Sequence, residues 1–159
     1  MTWVEPRLVV LKLVLDALGV SAKPESLQAR KAIQKAVYLA QNAGAPLGYS
    51  YGWYVKGPYS PSLAQDYYAL SRQDGGVPGF QLNDAVRASL SKLGRPAQLP
   101  AGVKLSEADW LELLASVHFL YAVRNRDKSA VRAVLASQKP QLVGYMDAAE
   151  SRLREMSLL

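Results

Sequence analysis

Residues 49–56 read Tyr-Ser-Tyr-Gly-Trp-Tyr-Val-Lys, and residues 57–61 continue with Gly-Pro-Tyr-Ser-Pro. The aromatic and partly alternating first part is typical of a short β-strand or hairpin rather than a helix. Gly57-Pro58 ends this pattern, and Ser60-Pro61 is typical of a helix start, with serine as N-cap and proline as the first helical residue. Because the apolar spacing on either side is helical, the sequence predicts a mainly α-helical fold with one short β-strand or hairpin near residues 49–56.

Helical segments are predicted on both sides of this stretch. Upstream, Pro6 and Gly19 suit the two ends of a buried apolar helix, and residues 27–42 carry small apolar residues on one arc and polar residues opposite. Downstream, Ser106-Glu107-Ala108-Asp109 is a variant of the capping box that begins a helix. The sequence predicts about six to seven helices in a single compact domain over residues 1–159, at 6–19, 27–42, 60–70, 82–93, 106–121, 127–137 and from about 140, with loops at 72–80 and 95–104.

Length and composition fit one globular domain. The 159 residues are 50% hydrophobic and 20% charged, with a net charge of +6, a mix found in folded chains. The most apolar run, residues 8–18, contains two charges and is too short to cross a bilayer, which needs about 20 apolar residues. We therefore expect no membrane partner. The absence of cysteine fits a reducing compartment, so a cytoplasmic location is expected.

Residues with catalytic or metal-binding chemistry are scarce. Cysteine is absent and His118 is the one histidine, which leaves no conventional zinc site and no cysteine nucleophile. The neighbours of His118 at helical spacing offer no proton partner, so we expect a structural histidine. Neither a nucleophile elbow nor a phosphate-binding glycine motif occurs. We expect no catalytic residue, no metal site and no cofactor, while an enzyme with an unfamiliar site stays open as an alternative.

Basic residues indicate nucleic acid as one class of partner. Arg124, Lys128 and Arg132 are spaced four apart and would face one direction if this segment were helical throughout. Lys31 and Lys35 are predicted on the exposed face of the second helix. Such residues could contact several phosphates, so one hypothesis is a winged-helix-like DNA-binding transcriptional regulator, and the other interpretation is a solvated face. The nucleic-acid hypothesis depends on Lys31, Lys35, Arg124, Arg126, Lys128 and Arg132.

Aromatic residues are concentrated around the predicted β element. Tyrosine and tryptophan combine a large contact area with a polar tip and are enriched at protein interfaces. We expect part of this set to be core and the rest to form an interaction surface. Seven aromatic residues lie between positions 49 and 68: Tyr49, Tyr51, Trp53, Tyr54, Tyr59, Tyr67 and Tyr68.

The order of these features resembles a known family. Residues 30–41 read Arg-Lys-Ala-Ile-Gln-Lys-Ala-Val-Tyr-Leu-Ala-Gln, and an aromatic strand, Gly57-Pro58-Tyr59-Ser60 and a helix ending in Tyr67-Tyr68-Ala69-Leu70 follow. This stretch resembles the YwgA-like family of bacterial proteins and, more distantly, the Panacea or SocA-like antitoxin domain. A weaker likeness covers residues 110–120 and Lys139-Pro140.

The resemblance implies a non-enzymatic role. Panacea-like domains act as antitoxins by contacting a partner protein directly, and SocA-like members act as adaptors, so the implied partner is a toxin or an adaptor target. Carried over by position, the implied partner-binding residues are Lys31, Lys35, Tyr38, Trp53, Gly57, Pro58 and Tyr59.

Overall fold

The computed structural model describes residues 5–73 and 79–159. It confirms the predicted fold class, a mainly helical chain with one β-hairpin. In the described part of the chain no helix is both long and apolar enough to span a membrane.

The elements are α1 (Pro6–Leu18), α2 (Leu27–Asn42), β1 (Gly52–Tyr54), β2 (Gly57–Tyr59), α3 (Pro61–Ser71), α4 (Asp84–Ser91), α5 (Glu107–His118), a π-helical turn (Phe119–Val123), α6 (Lys128–Gln138), a 3-10 turn (Val143–Tyr145) and α7 (Met146–Glu155).

Side-chain caps fix where several helices begin. The predicted caps Ser60 and Ser106 are confirmed, and Asn83 caps α4 in the same way, because each side-chain oxygen accepts the backbone N–H three residues further on. Each such bond satisfies one of the free N–H groups in the first helical turn. Asp109 does not complete the predicted capping box, since its carboxylate instead bonds Lys31.

Helix α5 lies at the centre of the molecule. Every residue of α5 from Trp110 to His118 is buried, and the helix packs against α2 on one side, α7 on another, and β2 of the hairpin. Helix α1 packs against α2, α3 and α4. A helix that is apolar almost all round is expected to be buried on every side, and Glu112 is the charged residue inside this apolar run.

The β-hairpin lies slightly further along the chain than predicted. Strand β1 pairs with β2 in antiparallel register, with Trp53 opposite Pro58, so Val55-Lys56 forms the turn. Gly57-Pro58 therefore begins the second strand instead of ending the β element. Gly57 has a φ of +90°, a conformation that glycine adopts without steric cost.

The C-terminal half departs from regular α-helix at three points that the apolar spacing does not reveal. The helix predicted over 106–121 is α-helical only to His118 and continues as the π-helical turn. Asn125 has a φ of +52°, so residues 125–127 are not helical and α6 starts at Lys128. The last helix starts at Met146, after the 3-10 turn, and not near Pro140. Residues 74–78 of the predicted 72–80 loop lie outside the described residues.

Candidate functional site

A buried lysine fastens the hairpin to α2. Lys35 is 1% exposed, and its Nζ donates a hydrogen bond of 2.5 Å to the carbonyl oxygen of Pro58. Trp53 and Pro58 form the pair next to Tyr54–Gly57, which closes the two-residue turn. Because hydrogen-bonded and non-hydrogen-bonded pairs alternate in an antiparallel ladder, the Pro58 carbonyl points away from β1, and Lys35 supplies its donor.

Glu112 joins two further lysines to the same region. Its buried carboxylate accepts hydrogen bonds from Nζ of Lys31 at 2.9 Å and from Nζ of Lys139 at 2.7 Å. Lys139 also donates to the carbonyl oxygen of Val55 at 3.0 Å, so it ties α5 to the hairpin turn. We call Lys31, Lys35, Lys139 and Glu112 the lysine cluster.

Burial governs the protonation of the lysine cluster. It lowers the pKa of Lys35 to about 7; attraction to Glu112 opposes this shift, while repulsion from Lys139 and Lys31 reinforces it. Burial also acts to lower the pKa of Lys31, but hydrogen bonds to Asp109 and Glu112 outweigh it, so the pKa is raised above 10.5. The carboxylate partners of Lys31 thus favour its charged form, while burial favours the neutral form of Lys35.

Two further contacts hold β2 in place. Gln34 donates from Nε2 to the carbonyl of Ser60 and accepts the N–H of Ser60 at Oε1, both at 2.9 Å. A methyl group added at Gly57 would lie 2.5 Å from Oγ of Ser116 on α5. The backbone of β2 therefore lies closer to α5 than any residue with a Cβ atom would allow.

His118 is buried beside Tyr38. The hydroxyl of Tyr38 and Nδ1 of His118 share a hydrogen bond of 2.7 Å, and burial lowers the pKa of His118. The ring of Tyr38 also meets that of Tyr51 edge-on, with centroids 5.1 Å apart. Inspection of helical neighbours alone missed this pair because Tyr38 lies on α2 and His118 on α5.

Trp53 links the hairpin to the end of α6 and to the π-helical turn. Its ring lies 5.6 Å from that of Phe119 and 5.5 Å from Nζ of Lys139. Its Nε1 donates a hydrogen bond of 3.0 Å to Gln138. Arg124 also contacts Phe119, with its guanidinium 5.4 Å from the ring centroid. Arg124, Phe119, Trp53 and Lys139 thus form a continuous series of contacts.

The predicted partner-binding residues converge on the hairpin, but most are inside the molecule. Trp53 and Tyr59 are half-buried. The expectation that Lys31 and Lys35 lie on an exposed helix face is wrong, because α5 and β2 cover that face of α2. The remaining members of the set are likewise buried: Tyr38, Gly57 and Pro58.

The exposed part of this region is the turn between the strands. Tyr54 is 50% exposed and Val55 is 88% exposed, and Lys56 is also exposed. We call Tyr54, Val55 and Lys56 the hairpin tip. The ring of Tyr54 packs edge-on against that of Tyr59, with centroids 5.3 Å apart, so the tip rests on the half-buried aromatic residue beneath it.

The residues of the nucleic-acid hypothesis do not form one stripe. Lys31 and Lys35 are buried in the lysine cluster, and the backbone break at Asn125 separates Arg124 and Arg126 from α6. On α6, Lys128 and Arg132 lie 3.7 and 3.2 Å from the carboxylate of Asp147. Arg124 and Arg126 are exposed and form no ion pair within the described residues.

Two members of the cluster were not predicted from the sequence. A signal for Glu112 is present, because a carboxylate inside the apolar run of α5 must find a cation when the helix is buried all round. For Lys139 no local signal exists, since its partners Glu112 and Val55 are distant in the chain. The close contact of Ser116 with Gly57, outside the cluster, was also not predictable from the sequence. The buried hydroxyl of Ser116 has no hydrogen-bond partner within the described residues.

The lysine cluster lies inside the fold. Burial lowers the pKa of Lys35, and an amine with a lowered pKa is a potential nucleophile, but α5 and the hairpin enclose this side chain. Surface depressions of about 660 and 390 Å³ lie elsewhere, one beside α7 and the other beside Arg7 and Asp66. Within residues 5–73 and 79–159, no three metal-ligating side chains gather into a site. The cluster serves to position the hairpin.

The fold and site define a mainly helical protein in which buried side chains hold a β-hairpin with an exposed turn against the helices. Comparisons with protein-family models, with curated proteins and with solved structures give no match for this chain.

Proposed function

We propose that this protein is a non-enzymatic protein-interaction module, an antitoxin or adaptor of the type that the YwgA-like and SocA-like resemblance implies. In this proposal the partner binds at the hairpin tip, and the buried partner-binding candidates act indirectly by holding the tip in position. The observation that carries the proposal is an exposed turn, with Val55 88% exposed, on a hairpin that two buried lysines hold against the helices.

Anchoring makes the hairpin tip suitable for binding. A two-stranded hairpin is marginally stable in water by itself, and these strands have only three residues each. The bond from Lys35 to Pro58 ties β2 to α2, and the bond from Lys139 to Val55 ties the turn to the C-terminal end of α6. A surface ordered before binding loses less conformational entropy on association.

Composition of the tip also supports a protein partner. Val55 is almost fully exposed, and Tyr54 and Tyr59 form an aromatic pair directly beside it. Tyrosine and tryptophan are enriched at the centres of protein interfaces and frequently contribute most of the binding energy.

The test is affinity capture from a lysate of the source organism with three baits: wild type, Val55→Asp and Leu27→Asp. Leu27 is 58% exposed at the start of α2, so it matches Val55 in chemistry but lies away from the tip. We expect one protein to be captured stoichiometrically by wild type and Leu27→Asp, in the presence of nuclease, and to be lost with Val55→Asp. Circular dichroism checks that all three baits are folded.

Equal capture by the Val55→Asp bait would contradict binding at the tip. Recovery of nucleic acid alone would favour the alternative, the winged-helix-like DNA-binding regulator. That alternative has narrower support, because Arg124 and Arg126 are the members of its residue set that are exposed and without a carboxylate partner. Two phosphate contacts predict a slope of about −2 for log K against log salt.

A further inference from the structure

We infer that the partner binds by strand addition, in which an extended polypeptide segment pairs with the edge of β1 that faces away from β2. This inference rests on the proposed function and adds how the partner is held beside the hairpin tip. The observation that leads to it is a difference between the two edges of the hairpin. Side chains of α2 bond the edge of β2, whereas no described residue bonds the edge of β1.

The register of the hairpin determines which backbone groups form the edge of β1. Tyr54 and Gly57 close the two-residue turn as a hydrogen-bonded pair, so the next pair, Trp53 and Pro58, is a non-hydrogen-bonded one. Residues of a non-hydrogen-bonded pair direct their N–H and C=O groups away from the partner strand. The backbone N–H and C=O of Trp53 therefore point out of the hairpin, on the side of β1 opposite to β2.

The equivalent groups of β2 are already bonded. Nζ of Lys35 donates to the carbonyl of Pro58 at 2.5 Å. The side-chain amide of Gln34 donates to the carbonyl of Ser60 and accepts the N–H of Ser60, both at 2.9 Å. Helix α2 thus supplies to β2 the hydrogen bonds that a neighbouring strand would otherwise supply.

The described structure leaves the edge of β1 open. No described residue bonds the backbone of Tyr51, two residues before Trp53, and within residues 5–73 and 79–159 no helix packs extensively along β1. Buried backbone groups are almost always hydrogen-bonded, and residues 51–53 are all partly exposed. Lys139 bonds the carbonyl of Val55, so the open edge extends over residues 51–53 and ends at the hairpin tip.

An extended segment of a partner protein fits this edge. An extended backbone carries N–H and C=O groups that alternate at the spacing of the edge. Edges that avoid pairing usually carry charged residues or proline, and residues 49–54, Tyr-Ser-Tyr-Gly-Trp-Tyr, contain neither. Pairing of this edge with that of a second copy would by itself bury far less than the roughly 800 Å² per partner of a stable dimer.

The experiment uses short peptides selected on the full-length protein from a displayed random library. Each backbone amide of a selected peptide is methylated in turn, which removes one N–H and leaves the side chain unchanged, and the affinity is measured by fluorescence anisotropy. Strand addition predicts a period of two. Methylation at two peptide residues separated by one should lower the affinity about tenfold or more, and methylation at the residue between them should have little effect.

Amide hydrogen exchange measured by NMR reports on the same contact from the protein. When the peptide saturates the protein, we expect exchange at the N–H groups of Tyr51 and Trp53 to slow by about tenfold or more. The N–H groups of Gly52 and Tyr54 already pair with β2, so their exchange should change less, and they serve as the internal control.

The outcomes separate this inference from the proposed function. Peptides that lose binding with Val55→Asp, but show neither the period of two nor slower exchange at Tyr51 and Trp53, would overturn strand addition and leave binding at the tip intact. Peptides that show both effects and bind Val55→Asp normally would support strand addition and contradict the tip as the contact. Slower exchange on raising the protein concentration without peptide would replace the peptide with a second copy. An absence of enriched peptides would contradict both proposals.

Discussion

Gly57→Ala is expected to destabilise the protein by about 2–5 kcal/mol. Two effects add up to this figure. Gly57 has a φ of +90°, and a left-handed backbone costs a residue with a side chain about 1–2 kcal/mol. The new methyl group would also lie 2.5 Å from Oγ of Ser116, and inserting a methyl into a packed core costs about 1–3 kcal/mol.

A second glycine separates these two effects. Gly102 has a nearly identical φ of +85°, but a methyl added there would meet no atom within 4 Å. Gly102→Ala should therefore show the backbone strain alone, about 1–2 kcal/mol. Ser116→Ala removes the atom that clashes, and since the Ser116 hydroxyl has no partner within the described residues, we expect this change alone to be close to neutral.

The assay is equilibrium unfolding in urea for wild type, Gly57→Ala, Ser116→Ala, the double variant and Gly102→Ala. In a double-mutant cycle we expect Ser116→Ala to recover about 1–3 kcal/mol of the loss caused by Gly57→Ala. If Gly57→Ala costs no more than Gly102→Ala, or if Ser116→Ala gives no recovery, the close approach of β2 to α5 is refuted.

Two further predictions concern the lysine cluster. Burial lowers the pKa of Lys35 to about 7, against 10.5 as the ordinary value, so the unfolded chain binds more protons than the folded one between these values. The free energy of unfolding of wild type, minus that of Lys35→Met, should therefore rise by about 2 kcal/mol from about pH 7 to about pH 9. Both values come from urea titrations at each pH. A difference that does not change with pH would contradict the lowered pKa. Glu112→Gln should cost about 3–5 kcal/mol because it leaves two buried ammonium groups without their shared carboxylate, whereas Asp147→Asn, at an exposed ion pair, should cost less than about 1 kcal/mol in the same assay. Equal losses for the two substitutions would show that the Glu112 carboxylate is not buried between two cations.

Helix starts were predictable because they depend on local chemistry. Ser60-Pro61 and Ser106 follow rules that operate within a few residues, namely a side-chain acceptor for the free N–H groups and a proline at the first helical position. Asn125 is also a local indication that the helix ends, but the four-residue spacing of Arg124, Lys128 and Arg132 favoured a continuous helix instead. Asparagine adopts a left-handed backbone more readily than most residues, and here it ends the helical path between Arg124 and α6.

The hairpin register and the burial of the lysines depend on contacts between distant residues. Gly57-Pro58 ordinarily ends a strand, but here Lys35 bonds the Pro58 carbonyl from a separate helix, so the dipeptide is held in β2. An amphipathic pattern assumes one buried face and one solvated face. Helix α2 is covered on both, by α1 and by α5 with β2, and lysines on its second face therefore become internal.

The buried charges of the lysine cluster indicate that the fold fixes the orientation of the hairpin. Buried ion pairs seldom increase stability over apolar residues of similar volume, and their better-attested effect is to specify one geometry. An apolar core could hold α2 against α5, but it would offer no hydrogen-bond donors to the carbonyls of Pro58 and Val55. Because three-residue strands supply little stability of their own, the hairpin depends on those donors for its orientation. The cluster is therefore best understood as the element that determines where the hairpin tip points, which is the property that recognition at the tip requires.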